Sequence, residues 1–296
     1  MEFKSGFIAL LGSPNVGKST LLNALVGTKI AIVSKKPQTT RNRITGVVTR
    51  EDFQMIFMDT PGLHTPKNKL GEFMVKTAEQ AARDVDAVLF VVDAKAGARE
   101  RDMEILDKLT RQKDIPLIIA INKIDAVDGT RIEEVEDSLK HFDKKIIRIS
   151  AAQGLGLDLL MEALKAYLVD GPMYYPADMV SDQPERVIAA ELIREKALKS
   201  IGKEIPHGIG VEIEKLQYDE EKEILNIDAV IYCEKDSHKG IIIGAGGRML
   251  KKIASAARED MQMLFDSKVF LQVWVKVKPD WRNKISVLRT LGYQDV

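Results

Sequence analysis

Hydrophobic residues in the first part of the chain fall in short runs, at residues 6–11, 54–58, 87–92, 117–121 and 145–149. Such runs read as strands buried on both faces. Segments between them carry helical periodicity, for example residues 69–83, 100–111 and 157–168. Buried strands alternating with helices predict an α/β domain with a mainly parallel sheet covered on both sides. Sheets of this kind bind ligands in the loops at the carboxyl ends of their strands.

After residue 170 the pattern changes. Gly171, Pro172, Pro176 and Pro184 interrupt regular structure and predict a linker over 171–184, between a domain at 1–170 and another at 185–296. In the second domain residues 185–201 read as a helix. Ile209, Val211 and Ile213, then Leu225, Ile227, Ala229 and Ile231, alternate with polar residues as strands do. A glycine-rich turn precedes a helix carrying Leu250, Ile253, Ala257, Met261 and Leu264 on one face. Val269, Leu271, Val273, Val275 and Val277 form a further period-two strand. Asp280 is placed to cap a last helix that buries Trp281, Ile285 and Leu288 and ends before Gly292.

Charge gives no global signal. Lys+Arg and Asp+Glu each number 44 in 296 residues, so any nucleic-acid site must come from local clustering. A lone cysteine, Cys233, excludes an internal disulfide and reads as a core residue of a strand. His141, His207 and His238 lack metal-ligand spacing with one another or with Cys233. The first residues run straight into a strand, and the longest apolar runs fall below the roughly 18 residues a spanning helix needs. Both features predict a cytoplasmic protein, with peripheral contact at the inner face of the cell membrane left open.

Four motifs lie at predicted strand ends. Gly12, Ser13, Pro14, Asn15, Val16, Gly17, Lys18 and Ser19 fit G-x-x-x-x-G-K-[ST], with Thr20 next in the following helix. Glycines let the backbone wrap a polyphosphate with its N–H groups inward, and the helix start adds favourable partial charge. Lys18 would neutralise the β- and γ-phosphates, and the Ser19 hydroxyl would ligate Mg²⁺. Asp59, Thr60, Pro61 and Gly62 follow a strand where P-loop enzymes hold Mg²⁺ through a carboxylate. Asn122, Lys123 and Asp125 close another strand. One carboxylate can accept both the N1–H and the exocyclic NH₂ of guanine, whereas adenine offers an acceptor at N1. Lys123 can lay its stem over the base. Ser150, Ala151 and Ala152 end the next strand, where a backbone N–H can reach guanine O6.

In this order the motifs resemble the translation-factor-related P-loop GTPases. Gln38-Thr39-Thr40-Arg41-Asn42-Arg43 beside Asp59–Gly62, together with the second domain, resembles the Era family of ribosome-assembly GTPases over essentially the whole chain. That resemblance implies a P-loop GTPase domain, GTP and GDP as ligands, and hydrolysis of GTP to GDP and phosphate with slow intrinsic turnover. It makes Thr40 the switch threonine on Mg²⁺ and the γ-phosphate, with Thr39 the competing choice. Ser19, Thr40 and Asp59 are thus the expected metal ligands, and Lys18, Thr40 and Asn15 the expected catalytic group. Ras-like GTPases place a glutamine after the third motif's glycine to orient water. Here Leu63 stands there, so another group must do so. Asn15 matches the asparagine that helps related GTPases hold K⁺ beside the β–γ bridge; shaping the loop is its other reading. His64 reads as a solvent-facing loop histidine before a general base.

The second domain's predicted order, helix, two strands, two helices and strand, resembles a type II KH domain. Gly244, Ala245, Gly246 and Gly247 supply its GXXG turn, which in that family clamps a single-stranded backbone. Lys239, Arg248, Lys251 and Lys252 cluster around the turn as counter-charge. Ile242 and Ile243 are candidates to pack on splayed bases, or else core. The Era resemblance implies the 3′ end of small-subunit ribosomal RNA and the small ribosomal subunit as partners, for a monomer. A constitutive RNA binder with a scaffold nucleotide domain, a GTPase acting on another RNA, and an ATP-driven enzyme remain the alternatives; Asp125 argues against ATP.

Overall fold

Alternate residues of the central strands point to opposite sides of one sheet, and both sets are apolar. The computed structural model describes residues 2–34, 39–62, 66, 68–81, 85–111, 115–201 and 208–293. The chain divides into two units. The first comprises Met1–Ala31, Thr40–Thr65 and Met74–Asp182; the second comprises Ile32–Thr39, Pro66–Phe73 and Gln183–Val296.

The first unit holds, in order, β1 (Lys4–Leu11), α1 (Lys18–Val26), β2 (Ile44–Thr49), β3 (Phe53–Asp59), the part of α2 (Lys69–Ala81) from Met74 onward, and β4 (Ala87–Asp93). Next come α3 (Glu100–Arg111), β5 (Leu117–Asn122), α4 (Gly129–Leu139), β6 (Lys145–Arg148), α5 (Leu157–Lys165) and β7 (Val169–Asp170). The sheet order is β2-β3-β1-β4-β5-β6, with β7 pairing β1. Every neighbouring pair along that order is parallel except β2 against β3. Ile8, Leu10, Leu89, Val91, Ile118 and Ala120 pack on one face with Leu21 of α1 and Leu160 of α5. Ala9, Leu11, Phe90, Val92, Ile119 and Ile121 pack on the other with Leu106 of α3 and Leu139 of α4. This two-sided burial explains the apolar runs.

Two elements lack such a signature. Strand β2 carries Gly46 at its centre, because a Cβ there would lie 2.5 Å from Leu22 Cδ1 on α1. A glycine inside a strand marks just this close approach. Helix α4 buries only Val135 and Leu139. Its start is fixed instead by Asp128, whose side chain accepts from the Arg131 N–H. One expected element is shorter, α5 ending at Lys165; α2 is described to Ala81, and residues 82 and 83 of its expected span lie outside the described residues. Residues 171–182 run beside the β2–β3 edge. The Gln54 amide bridges the Tyr174 and Tyr175 N–H groups and the Tyr175 carbonyl, and the Val47 N–H donates to the Val180 carbonyl at 2.9 Å.

The second unit contains α6 (Glu185–Ser200), β8 (Gly210–Asp219), β9 (Ile224–Cys233), α7 (Asp236–Ile243), α8 (Arg248–Phe265), β10 (Lys268–Val277) and α9 (Ile285–Thr290). Its sheet has the order β10-β9-β8, with β10 parallel and β8 antiparallel to β9. The helix–strand–strand–helix–helix–strand order is the one the periodicities predict. Ile213, Ile227, Ala229, Ile231, Ile253, Ala257 and Met261 share one core. Cys233 is buried at the end of β9.

The last helix differs from expectation. Asp280 adopts a left-handed backbone (φ 52°) and opens a short turn at Trp281–Asn283; α9 begins only at Ile285. The break at Lys284 shifts the helical phase. Trp281 and Leu288 are buried as expected, but Ile285 is 43% exposed and Val287 takes the inner position.

Candidate functional site

The phosphate loop joins the end of β1 to the start of α1. Gly12 and Gly17 have φ of 138° and 103°, and Asn15 is also left-handed at 66°. Glycine is required at 12, since a Cβ would meet the Val91 carbonyl oxygen at 2.3 Å. Lys18 folds back over the loop, its Nζ donating to the Gly12 and Ser13 carbonyls at 2.9 and 3.1 Å. Burial pushes its ammonium below the ordinary value, against the pull of Asp59 and Asp102. Asp102, which the motifs do not mark, is buried at the start of α3 and accepts from Ser13 Oγ at 2.6 Å and from the Arg99 N–H at 3.0 Å. In the sequence it looks like an ordinary acidic residue of a helix's first turn.

Ser19, Thr40 and Asp59 converge. Ser19 Oγ donates to Asp59 Oδ2 at 2.6 Å and lies 2.8 Å from Thr40 Oγ1, which is 3.4 Å from the same Asp59 oxygen. Asp59 is fully buried, and burial raises its carboxyl above the ordinary range despite Lys18 and the two hydroxyls. Its Oδ1 has no hydrogen-bond partner among the described residues. An unpartnered buried carboxylate oxygen beside two hydroxyls is a donor set suited to a hard divalent cation such as Mg²⁺. Geometry separates the two threonines. Thr39 instead belongs to the second unit, where its hydroxyl donates to the Ser34 carbonyl at 3.5 Å and its own carbonyl accepts from Arg194.

After Asp59, Thr60 Oγ1 donates to the Leu10 carbonyl at 2.8 Å. Pro61 and Gly62 follow, and a Cβ at Gly62 would sit 2.7 Å from Pro14 Cα, so glycine lets this loop touch the phosphate loop. Gln38, Leu63 and His64 lie outside the described residues.

Asn122 ties three loops together. Its Nδ2 donates to the Val16 carbonyl at 2.9 Å, and its Oδ1 accepts from the Lys123 and Ala151 N–H groups at 2.8 and 3.0 Å. Lys123 is left-handed (φ 67°) and reaches over to the Asn15 carbonyl and Asp93 Oδ2, both at 2.5 Å. Asp125 is exposed, and its Oδ1 accepts from Ser150 Oγ at 2.5 Å. A carboxylate so oriented can take two donors from a base edge. Ala152 is exposed in the same loop.

In the second unit, α7 and α8 meet at Gly244–Gly247. Gly244, Gly246 and Gly247 all have positive φ. A Cβ on Gly246 would meet nothing within 4 Å, so a phosphate can approach the turn closely. Ala245, Arg248, Lys251 and Lys252 are exposed there and Lys239 is half-buried. Ile242 is fully buried in the core, which removes it as a base contact; Ile243 is half-buried at the end of α7. Among the described residues no cluster of three His, Cys, Asp or Glu side chains could hold a metal ion.

Known proteins match this arrangement. Residues 7–123 match the family model described as 50S ribosome-binding GTPase, and residues 204–282 that of the KH domain. The chain is 52% identical over 298 residues to GTPase Era of Clostridioides difficile, covering 99% of each chain. It is 52% identical over 295 residues to GTPase Era of Alkaliphilus oremlandii, covering 99% of this chain and 100% of the relative. Among solved structures, an Aquifex aeolicus Era variant bound to GDP·AlF₄⁻ superposes with a TM-score of 0.94 at 40% identity, covering 98% of this chain and 99% of that one. Era in complex with MgGDPNP and nucleotides 1506–1542 of 16S ribosomal RNA matches with the same score, identity and coverage. With relatives 52% identical along essentially its full length and a solved relative that superposes over 98% of it, the chain belongs to the GTPase Era family of GTP-hydrolysing enzymes.

Proposed function

We propose that this GTPase is a nucleotide-controlled switch that binds small-subunit ribosomal RNA near its 3′ end and assists assembly of the small ribosomal subunit. The related Era bound to nucleotides 1506–1542 of 16S ribosomal RNA supports the choice of RNA. The convergence of Ser19, Thr40 and Asp59 is the observation that carries the switch, because Thr40 belongs to a loop and not to a helix or strand.

In this reading Gly12 to Thr20 wrap the triphosphate, and Lys18 sets its charge against the β- and γ-phosphates. Ser19, Thr40 and Asp59 hold Mg²⁺, which supplies charge to the phosphates when bound. Asp125 accepts from guanine, with Lys123 and the Ser150–Ala152 loop beside it. Water attacks the γ-phosphorus and GDP leaves with its β-phosphate oxygen. Asn15 shapes the loop over the β–γ bridge, with K⁺ as its candidate ligand. Intrinsic turnover is slow.

The nucleotide domain spans 1–170, a linker 171–184, and the RNA-binding domain 185–296. Gly244 to Gly247 clamp the RNA backbone while Lys239, Arg248, Lys251 and Lys252 neutralise phosphates, and Ile243 faces the bases. The protein works in the cytoplasm as a monomer. No helix among the described residues is long and apolar enough to cross a membrane; any contact with the inner face of the cell membrane is, in this reading, peripheral.

Affinity for the 3′-terminal segment of small-subunit ribosomal RNA, measured with a non-hydrolysable GTP analogue and with GDP, tests the reading. Tighter binding with the analogue is expected. Equal affinity in both states, or equal affinity for an unrelated RNA of the same length, would overturn it.

A further inference from the structure

Strand β10 places aliphatic residues inward and a different chemistry outward. Val269, Leu271, Val273, Val275 and Val277 turn to the core, whereas Lys268, Phe270, Gln272, Trp274 and Lys276 are exposed on the other face. Phe270 is 53% and Trp274 44% exposed. Burying either ring would stabilise the fold more than burying a valine, so folding does not account for this choice.

We propose that the outer face of β10 is a second contact for single-stranded RNA, beyond the GXXG clamp. Phe270 and Trp274 supply stacking surfaces for bases, Gln272 between them offers an amide to a base edge, and Lys268 and Lys276 flank the stripe to meet phosphates. Four residue steps along the strand set the rings about 13 Å apart, which suits bases splayed along an extended strand. The apolar surface is broken by an amide and by charges, unlike the continuous patch a protein partner or second copy would need.

Acidic neighbours are present but engaged or set aside. Glu214 pairs with Lys276 at 2.8 Å, Glu212 accepts from the Tyr232 hydroxyl at 2.6 Å, and Asp228 lies beside Gln272 on β9. β10 is the edge strand, and α7, which ends at the GXXG turn, packs against it. A KH clamp holds four nucleotides, and a longer strand leaving it reaches this edge.

Intrinsic fluorescence provides the test on the full chain. Trp281 is fully buried, its Nε1–H donating to the Gly208 carbonyl, and gives a constant background. Trp274 reports the stripe. A mixed-sequence RNA of about twelve nucleotides should quench Trp274, while one of about four nucleotides should not. Replacing Phe270→Ala with Trp274→Ala should weaken the longer RNA about tenfold or more per base lost and leave the shorter unchanged. Trp274→Phe should keep most of the affinity.

Gly246→Asp should weaken both lengths. If it does not, the clamp reading fails, whatever the stripe does. Should the double alanine variant lose stability, Lys268→Glu with Lys276→Glu gives the same length-dependent loss on an intact surface. Unchanged affinity for the longer RNA in both double variants, no quenching, or loss of a protein partner with RNA binding intact would overturn the proposal.

Discussion

Ser19 Oγ donates to Asp59 Oδ2 at 2.6 Å although the two residues stand forty positions apart. One opens α1 and the other closes β3, and the parallel pairing of β1 with β3, which sets Leu10 beside Asp59, brings the two ends together. The cluster is therefore a consequence of sheet register and not of local sequence.

Asp59 is held at a cost to the nucleotide-free protein. Burial raises its carboxyl, so the folded state binds the proton more tightly than the unfolded chain does. Stability from this group is present at acid pH and is lost as pH rises past the ordinary carboxylate range and through the raised folded value. Asp59→Asn should therefore raise the thermal midpoint of the nucleotide-free protein at neutral pH, an advantage that shrinks on acidification. Mg²⁺-dependent GTP hydrolysis should fall more than about a hundredfold. Thermal melts across acid to neutral pH check the first part, and a phosphate-release assay the second. A destabilised Asp59→Asn protein at neutral pH would contradict the argument.

Asn122 should be among the costliest polar side chains of the nucleotide site to remove. Asn122→Ala leaves the Val16 carbonyl and the Ala151 and Lys123 N–H groups without the amide that joins them. Orphaned buried groups cost about 1–3 kcal/mol each, so a total of about 3 kcal/mol is expected after water enters. Guanine-nucleotide affinity should fall with stability, since the phosphate loop and the base loop are joined through this residue. Differential scanning calorimetry with and without GDP measures both.

The ion dependence of turnover tests Asn15. Its left-handed backbone and the Lys123 ammonium on its carbonyl fix the loop at this point. With K⁺ beside the β–γ bridge, GTP turnover in K⁺ should exceed that in Na⁺ about tenfold, the gain of roughly one hydrogen-bond-sized interaction. Asn15→Ala should erase the difference. Equal rates in the two salts for the parent protein would leave Asn15 a shaping residue.

Most of the fold is legible where burial is two-sided. The runs at β1, β3, β4 and β5 are apolar throughout because helices cover both faces, and the second unit's strands alternate because its helices pack on one face of the sheet. Strand β2 escapes notice because Gly46 makes room for Leu22, and α4 because only two of its residues are buried. Phosphate and base motifs are legible because each is a short contiguous signature. Spacing alone leaves Thr39 and Thr40 equivalent; only their positions in space separate them. Asp102 is invisible for the opposite reason: its partners Ser13 and Lys18 are supplied by another element. Ile242 reads equally as groove or core until the packing of α7 places it inside.

Base discrimination should rest on Asp125. Ser150 Oγ donates to one of its oxygens at 2.5 Å, which fixes the plane of an otherwise exposed carboxylate. Both oxygens then remain acceptors, matched to the N1–H and NH₂ donors of guanine. Asp125→Asn exchanges one acceptor for a donor. That donor meets the guanine NH₂ head-on, and a charge-assisted pair is lost; GTP affinity should fall roughly a hundredfold. Xanthine keeps N1–H but carries a carbonyl in place of the NH₂, so the new amide complements it, and XTP should bind more tightly to the variant than GTP does. Competition of GTP, XTP and ATP against a fluorescent guanine nucleotide measures the ranking in both proteins. If Asp125→Asn still prefers GTP to XTP, a group other than this carboxylate reads the base.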